Sequence, residues 1–493
     1  MSDIATPTGS MRGRIGRGAA WTAGGQMIRT GTSIAQVLVL SHMLRPSDFG
    51  VVAMCAPILA FITLFQDLGL SQAAIQKEKI THDDVNFLFW VNVGVCLLLA
   101  LVLVGSSPLV AAFYGDQRVM ALMAAMSSTV FLAGLTAQHS AMLGRKMQFN
   151  RLAAIGSAGG VIGLVVSIGA ALCDWSYWAL FAGTFATSVS TTIGTWLASE
   201  WRPSRPKSNA NAKELLRFGA GLTGFNLVNF FARNLDSILI GRFWGSNELG
   251  YYDRANRLLL FPMSQVMNPM SQVMVPALSR MTDHPSRYRN AFLKSLSAVL
   301  LVILPGVAFA TATADYLIPL LLGPQWTETA EIFRALGFAS LLQSVNNPAG
   351  WLFVSQGRTG EFLRWGIAGS VLVVLGFVIG LKFGAVGMAI AYAIAEYIKT
   401  PLLWMYIGRK GPVRTNDVLT SIGPFLLAAH GALLAAWLTH KYVVAGTLVN
   451  LIISAMACVA AYLILVLVFR NSRRLVFELL AIARSQLGFA PAT

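Results

Sequence analysis

Seven ionisable side chains sit inside long apolar runs of this 493-residue chain: Arg29, Asp67, Arg233, Asp236, Asp253, Arg254 and Arg257. An arginine at mid-membrane costs roughly 2.5–3.5 kcal/mol even on low estimates, so such a group persists only where it meets water, a partner or the interface. The available chemistry is electrostatic. A guanidinium offers forked donors to phosphate or carboxylate, and an intramembrane carboxylate is a place for a proton or a small cation. Arg233 and Asp236 are three apart and share a helix face. They fit either a self-neutralising pair or a cavity lining. Arg254 and Arg257 share a face in the same way near the outer end of a run, where snorkelling competes with a cavity role, and Asp253 can pair with Arg257 one turn on. Arg29 lies about midway along the first run, either facing a cavity or bonded to carbonyls of a neighbouring helix. Asp67 ends the second run, either solvated at a cytoplasmic mouth or functional.

Other charged groups have plainer readings. Glu396 and Lys399 are three apart near the cytoplasmic side of a run and are expected to pair laterally. Glu328 and Glu331 suit the start of a helix. Asp83-Asp84 beside His82 could hold a metal diphosphate as in a sugar-phosphate transferase, but no second acidic cluster supports it, and Asp84 just before an apolar run reads better as a helix cap. Cys55, Cys96, Cys173 and Cys458 are scattered with no CxxC or Cys/His spacing, so they read as small packing residues and no metal site is expected. The chain has no Walker A pattern, and no cofactor is expected.

The elements that must position these charges are membrane helices. The chain is 55% hydrophobic and 12% charged, where a soluble domain is about 25% charged, and apolar runs of about the 20 residues that a helix needs to cross a bilayer recur throughout. We place fourteen spans at 18–42, 50–70, 86–108, 119–141, 152–173, 176–198, 218–241, 251–278, 295–313, 328–355, 365–381, 384–407, 418–438 and 446–469. With the amino terminus in the cytoplasm, Arg45, Arg118, Arg242, Lys382 and Lys441 are the lysines and arginines left in outer segments. That asymmetry is the positive-inside rule, and it puts both termini in the cytoplasm. The net charge of +16 is therefore topological, with contact to anionic membrane lipids as a by-product and no nucleic-acid partner. No removable signal peptide is expected at the polar, basic start.

The chain also repeats itself. The segment from Leu40 through Pro46 and Asp48 to Gly50 lies over that from Ile240 through Ser246 and Glu248 to Gly250, with Arg17 over Arg217, Gly24 over Gly224 and Phe61 over Phe261. Further on, Gly144-Arg145 lies over Gly357-Arg358 and Gly156-Ser157 over Gly369-Ser370, the second copy having gained 13 residues. Such a repeat in an apolar chain marks a two-lobed transporter, the lobes related by an axis along the membrane normal. The expected organisation is an amino-terminal lobe at 1–199, a cytoplasmic linker at 200–217, a carboxy-terminal lobe at 218–407, two appended spans at 408–469 and an amphipathic cytoplasmic tail at 470–493. At the repeat offset Arg29 faces Asn229, Arg233 faces Ser33, Asp236 faces Gln36, and Asp253, Arg254 and Arg257 face Ala53, Met54 and Pro57. The scaffold repeats and the intramembrane charges do not, which leaves those charges free to serve a ligand. Their excess is cationic, suiting phosphate-bearing or acidic cargo.

Several motifs resemble one family, the Wzx-like polysaccharide flippases of the multidrug/oligosaccharidyl-lipid/polysaccharide exporter superfamily. They are Gly18-Ala19-Ala20-Trp21, Leu44-Arg45-Pro46-Ser47-Asp48-Phe49-Gly50, Phe65-Gln66-Asp67-Leu68-Gly69-Leu70, the stretch from Arg233-Asn234-Leu235-Asp236 to Phe243-Trp244-Gly245, and Leu249-Gly250-Tyr251-Tyr252-Asp253-Arg254-Ala255. The resemblance spans nearly the whole chain. It implies an all-α fold of two six-helix lobes around a central cavity plus two helices. It further implies movement of undecaprenyl-diphosphate-linked oligosaccharide from the cytoplasmic to the periplasmic leaflet of the inner membrane by alternating access, for exopolysaccharides such as succinoglycan. It carries over Arg29, Arg233, Arg254 and Arg257 as substrate-binding candidates, and Asp67 and Asp236 as candidates for coupling to protons or sodium. Polysaccharide polymerase or co-polymerase proteins are possible partners. The rival readings are a drug exporter of the same fold, whose cavity would be acidic, and a membrane polymerase or glycosyltransferase, which would need an acidic cluster or a large outer loop.

Overall fold

The computed structural model describes residues 11–66, 80–205, 212–443, 446–470 and 472–478, with side chains from residue 24 onward and, in the third stretch, from residue 234 onward. Among the described residues there is helix and no strand. The chain divides into two compact units, 1–250 and 251–493. Eight helical stretches among the described residues are long and apolar enough to cross a membrane. Their outward faces carry large apolar side chains such as Leu98 and Ile464, each 62% exposed, a surface that water would not tolerate at this extent. The protein is an all-α, multi-pass membrane protein.

In the first unit the helices are α1 (Met11–Met43), α2 (Pro46–Gln66), α3 (His82–Tyr114), α4 (Arg118–Arg145), α5 (Phe149–Leu172) and α6 (Trp178–Ala198), followed by α7 (Ala212–Ser279), which runs into the second unit. Helices α3 and α4 pack together, as do α5 and α6, α1 and α5, and α4 and α6. The start of α3 is a capping box: the Asp84 amide donates to Thr81 Oγ1 and the Thr81 amide to Asp84 Oδ2, both at 3.1 Å. Asp84 is thus accounted for by the helix end that it caps. Gly115 closes α3 in the left-handed region, at φ 72°.

The equivalent turns of the two repeat copies meet inside this unit. In the first copy the chain breaks between α1 and α2, and Pro46 opens the new helix where a missing amide hydrogen costs nothing. In the second copy the break within α7 falls on Gly245, at φ 82° and ψ −175°, a left-handed conformation that glycine takes without a steric penalty. A Cβ added at Gly50 would run into the carbonyl of Ser246, and one added at Gly250 into the carbonyl of Pro46. Ser246 is the repeat equivalent of Pro46, so the contact is reciprocal.

The start of the expected linker is fastened to α3. Asn86 Nδ2 donates to the Arg205 carbonyl at 3.0 Å, Asn86 Oδ1 accepts from the Ser204 amide at 2.8 Å, and Trp90 Nε1 donates to the Ser204 carbonyl at 2.7 Å.

The second unit holds α8 (Pro285–Ala312), α9 (Ala314–Leu322), α10 (Thr329–Asn346), α11 (Ala349–Ser355), α12 (Thr359–Gly380), α13 (Gly384–Gly408), α14 (Thr415–Tyr442) and α15 (Thr447–Val468). The expected tenth span is thus broken in two at Asn347-Pro348, where Pro348 has no amide hydrogen to give the carbonyl of Ser344. Helices α14 and α15, the expected appended pair, pack on α8. Tyr462 donates to the Leu300 carbonyl at 3.0 Å, and Ser297 and Ser421 share a hydrogen bond of 3.0 Å. Of the basic tail, residues 472–478 form a helical turn whose Leu475 and Val476 lie against the core of this unit. Lys294 pairs with Glu478 at 2.6 Å. Leu479 and Leu480 lie outside the described residues.

Candidate functional site

The cations expected from the sequence divide by unit. In the first, α1 lies along α5 through small residues. Ser157 Oγ donates to the Gly25 carbonyl at 3.3 Å, and Thr32 stands over Gly160. Between those contacts Arg29 crosses Gly156, where an added methyl group would sit 3.1 Å from Nη1. Arg29 Nη2 donates to Gln26 Oε1 at 3.1 Å, while Nε is buried without a hydrogen-bond partner. Among the described residues no carboxylate pairs with Arg29. Among the described residues its hydrogen bond goes to a side chain of the same helix rather than to a carbonyl of a neighbouring one, and the guanidinium rests in a notch that a glycine leaves open.

In the second unit Asp253 gathers both neighbouring arginines. Arg254 Nη2 lies 2.6 Å from Asp253 Oδ2, and Arg257 Nε lies 2.8 Å from Oδ1 and 2.9 Å from Oδ2. The two arginines differ in what is left over. The Arg254 side chain is 10% exposed, whereas that of Arg257 is 56% exposed. Asp253 takes the Nε of Arg257. Arg257 is the more exposed of the two cations.

Asp236 is buried, and its Oδ1 accepts from the Ser237 amide at 2.8 Å. The side chain of Arg233 lies outside the described residues, so the Arg233–Asp236 pair has no geometry here. Asp67 lies outside them as well.

A further cation was not expected as a ligand group. Lys399 pairs with Glu396, as the lateral-pair reading has it, but Glu396 stands twelve residues from either end of the 25-residue α13 rather than toward the cytoplasmic side. The Lys399 stem runs over Gly369, where an added methyl would lie 3.3 Å from Cδ. Gly369 is the repeat equivalent of Gly156, so each unit seats a cationic side chain in the same glycine notch, Arg29 in one and Lys399 in the other. The register of Gly156 on Gly369 was readable in the sequence. What hid the parallel is that the two cations arrive from helices that are not equivalent.

In the first unit Arg118 Nη2 bonds Asp116 Oδ2 at 2.7 Å and Ser246 Oγ at 2.9 Å, tying the α3–α4 turn to the second repeat copy. Partial burial pushes the Asp116 carboxyl up, but the Arg118 hydrogen bonds and charge outweigh it and hold it below the usual carboxylate value. Asp48, on the first copy, accepts from Ser176 Oγ and from the Arg45 amide. At the start of α12 Arg358 bonds Glu361 at 2.6 Å and lowers its carboxyl in the same way.

An all-helical, multi-pass chain with cations set into helix notches and no metal-binding cluster among the described residues is of the transporter class. The family model described as polysaccharide biosynthesis protein matches residues 39–331, more than half of the chain, and the chain belongs to that family. Relatives include the lipopolysaccharide biosynthesis protein WzxC of Escherichia coli K12, 24% identical over 400 residues, which are 80% of each chain. The succinoglycan biosynthesis transport protein ExoT of Rhizobium meliloti is 24% identical over 344 residues, 70% of this chain and 69% of its own. The probable low-salt glycan biosynthesis flippase Agl15 of Haloferax volcanii is 22% identical over 76% of this chain and 80% of its own. Among solved structures, the lipid II flippase MurJ in an inward closed conformation aligns with a TM-score of 0.73 at 15% identity, over 92% of this chain and 99% of that one. An inward-facing multidrug MATE transporter aligns at 0.60 and 14% identity, over 77% and 95%. These structures share the fold.

Proposed function

We infer that this protein is a flippase that carries lipid-linked oligosaccharide repeat units from the cytoplasmic to the periplasmic leaflet of the inner membrane, for assembly of a surface or extracellular polysaccharide. The observation that carries the reading is a pair of intramembrane cations, Arg29 without a carboxylate among the described residues and Arg257 with a side chain that is 56% exposed, in a chain of a polysaccharide biosynthesis family. A prenyl diphosphate or an acidic sugar is an anion that must pass a medium hostile to charge, and fixed guanidinium groups supply the counter-charge that water no longer does. A drug exporter selecting organic cations would place the opposite sign there.

In this reading two six-span lobes flank a central cavity, with α14 and α15 as additions, both termini are cytoplasmic, and the lobes alternate access. Arg29, Arg233, Arg254 and Arg257 serve the anion. Asp67 and Asp236 serve a coupling proton or sodium ion, for which one charge crossing supplies about 2.3 kcal/mol per 100 mV. A polymerase or co-polymerase takes the delivered unit.

Deleting the gene tests the core of this. The expected result is loss of the polymer with lipid-linked repeat units retained on the cytoplasmic face, restored by the intact gene. Unchanged polysaccharide with altered drug tolerance would overturn the reading in favour of the exporter.

A further inference from the structure

Glu396 is a carboxylate at the midpoint of a membrane helix, 1% exposed, and its partner Lys399 keeps 18% of its side chain exposed. The pair is lopsided: the acid is sealed in and the base has a way out along the notch at Gly369. Glu396 Oε1 bonds Lys399, and Oε2 accepts from Asn346 Nδ2 at 3.1 Å. The same amide nitrogen donates to Thr400 Oγ1 at 2.8 Å, while Asn346 Oδ1 is buried without a partner. An orphaned acceptor of this kind costs about 1–3 kcal/mol. The ionised carboxylate cannot relieve it, having no hydrogen to give. A protonated carboxyl can, once the amide turns its oxygen toward the new O–H. Asn346 also ends α10, just before the helix break at Asn347-Pro348. Broken helices and their freed polar groups are where transporters of this kind place coupling ions.

Among the described residues, the remaining charges on the helices packed against the pair are accounted for. From α14, His430 Nε2 is bonded to Tyr397 Oη at 2.6 Å. The other charged groups of α14, Asp417, His440 and Lys441, stand at its two ends. On α10, Gln343 bonds Tyr392, and Arg334, near the far end, pairs with Asp315. Glu331 lies in the first turn of α10. On α12, Gly369 and Trp365 face Lys399. Arg364 is exposed nearer the start of α12, where Glu361 is held by Arg358. Lys399 is therefore the cation that pairs with Glu396 among the described residues.

We propose that Glu396 is a proton-exchange site: it takes a proton from water, its new O–H bonds Asn346 Oδ1, and the Lys399 ammonium is released toward an anionic group. One proton enters, no covalent bond between heavy atoms changes, and the site gains one positive charge. That the anion is the lipid diphosphate or acidic sugar rests on the function proposed above; the proton site itself does not.

Dicyclohexylcarbodiimide, which modifies protonated carboxyls in apolar surroundings, is the probe. Purified full-length protein in lipid vesicles is treated across a pH series, and modification of Glu396 is read by peptide mass spectrometry. Labelling is expected to rise by up to about tenfold per unit fall in pH while the ionised form dominates. It should be severalfold stronger in Lys399→Met and absent in Glu396→Gln. Glu396 left unmodified at every pH in both the wild type and Lys399→Met, or modified independently of pH, overturns the proposal. In cells, an uncoupler should slow polymer export by the wild type by a larger factor than it slows the residual export of Glu396→Gln; an equal response in both also overturns the proposal. The labelling needs only the native protein and Lys399→Met, so it decides even if Glu396→Gln fails to accumulate. If polymer export proves independent of this protein, the flippase reading falls and the labelling result stands.

Discussion

Gly50 and Gly250 touch through a reciprocal contact: each presents its bare Cα to the carbonyl that opens the other's helical turn, Gly50 to Ser246 and Gly250 to Pro46. Two equivalent turns meeting self-complementarily is the pattern of a two-fold interface, reproduced here inside one chain by its own repeat. The obstructing atoms are backbone, which cannot swing aside. Gly50→Ala or Gly250→Ala should therefore destabilise the protein by about 1–3 kcal/mol, read as a lower melting temperature in detergent by fluorescence-detected size exclusion. Gly24→Ala, with open space at the added Cβ, is the control and should melt as the wild type does.

The arginines on Asp253 should separate stability from transport. Arg254→Ala leaves a buried carboxylate short of one of its partners, a change that costs up to about 3–5 kcal/mol when a buried pair is broken, and the expected outcome is low membrane abundance. Arg257→Ala removes a largely exposed guanidinium. Abundance should hold while polymer export falls by about 10–100-fold, the equivalent of one charge-assisted hydrogen bond of roughly 1.5–3 kcal/mol. Quantitative blotting beside polysaccharide yield separates the two. Equal losses of both readouts in Arg257→Ala would make it a structural residue.

Much of this was legible in the sequence, for identifiable reasons. Apolar period and length fix a membrane helix with little help from tertiary context, so the expected spans fall on helices where residues are described, with ends shifted by up to ten residues and the tenth span broken. The repeat foretold that Gly50 and Gly250 are equivalent but not that they touch, because equivalence is a property of pattern and contact one of packing. The break at Asn347-Pro348 was hidden by apolar residues on both sides, which read as one run. Glu396 with Lys399 was seen as a pair. Its depth and the unpartnered Asn346 Oδ1 depend on which helix lies opposite, and spacing along one helix carries no record of that.

Acid should loosen the α3–α4 turn of the first unit. The Asp116 carboxyl is held below its usual value by Arg118, so its contribution to stability is fully present above the unfolded value of about 3.9. That contribution is lost as the pH falls through the lower folded value. Thermal melts from neutral pH down to about pH 3 should show a drop in the wild type that is smaller in Asp116→Asn, whose uncharged side chain gains nothing from ionisation at any pH. Identical pH profiles would show that Arg118 is indifferent to the charge of Asp116.

Arg29 distinguishes a ligand group from a packing group most sharply, because its surroundings allow a perturbation that leaves the residue in place. At Gly156 an added methyl meets Nη1, the far end of a flexible side chain, rather than backbone. Gly156→Ala should fold and displace the guanidinium by a few tenths of an ångström or more. If Arg29 positions an anion, that displacement lowers export while abundance is unchanged. Arg29→Lys should lower it further, since an ammonium keeps the charge but loses the planar fork that matches phosphate, and Arg29→Ala should lower it most. If Arg29 only fills the groove between α1 and α5, the order reverses: Gly156→Ala, which fills the notch, exports normally, and Arg29→Ala loses abundance together with export. Export yield normalised to membrane abundance across the three variants decides between these orders.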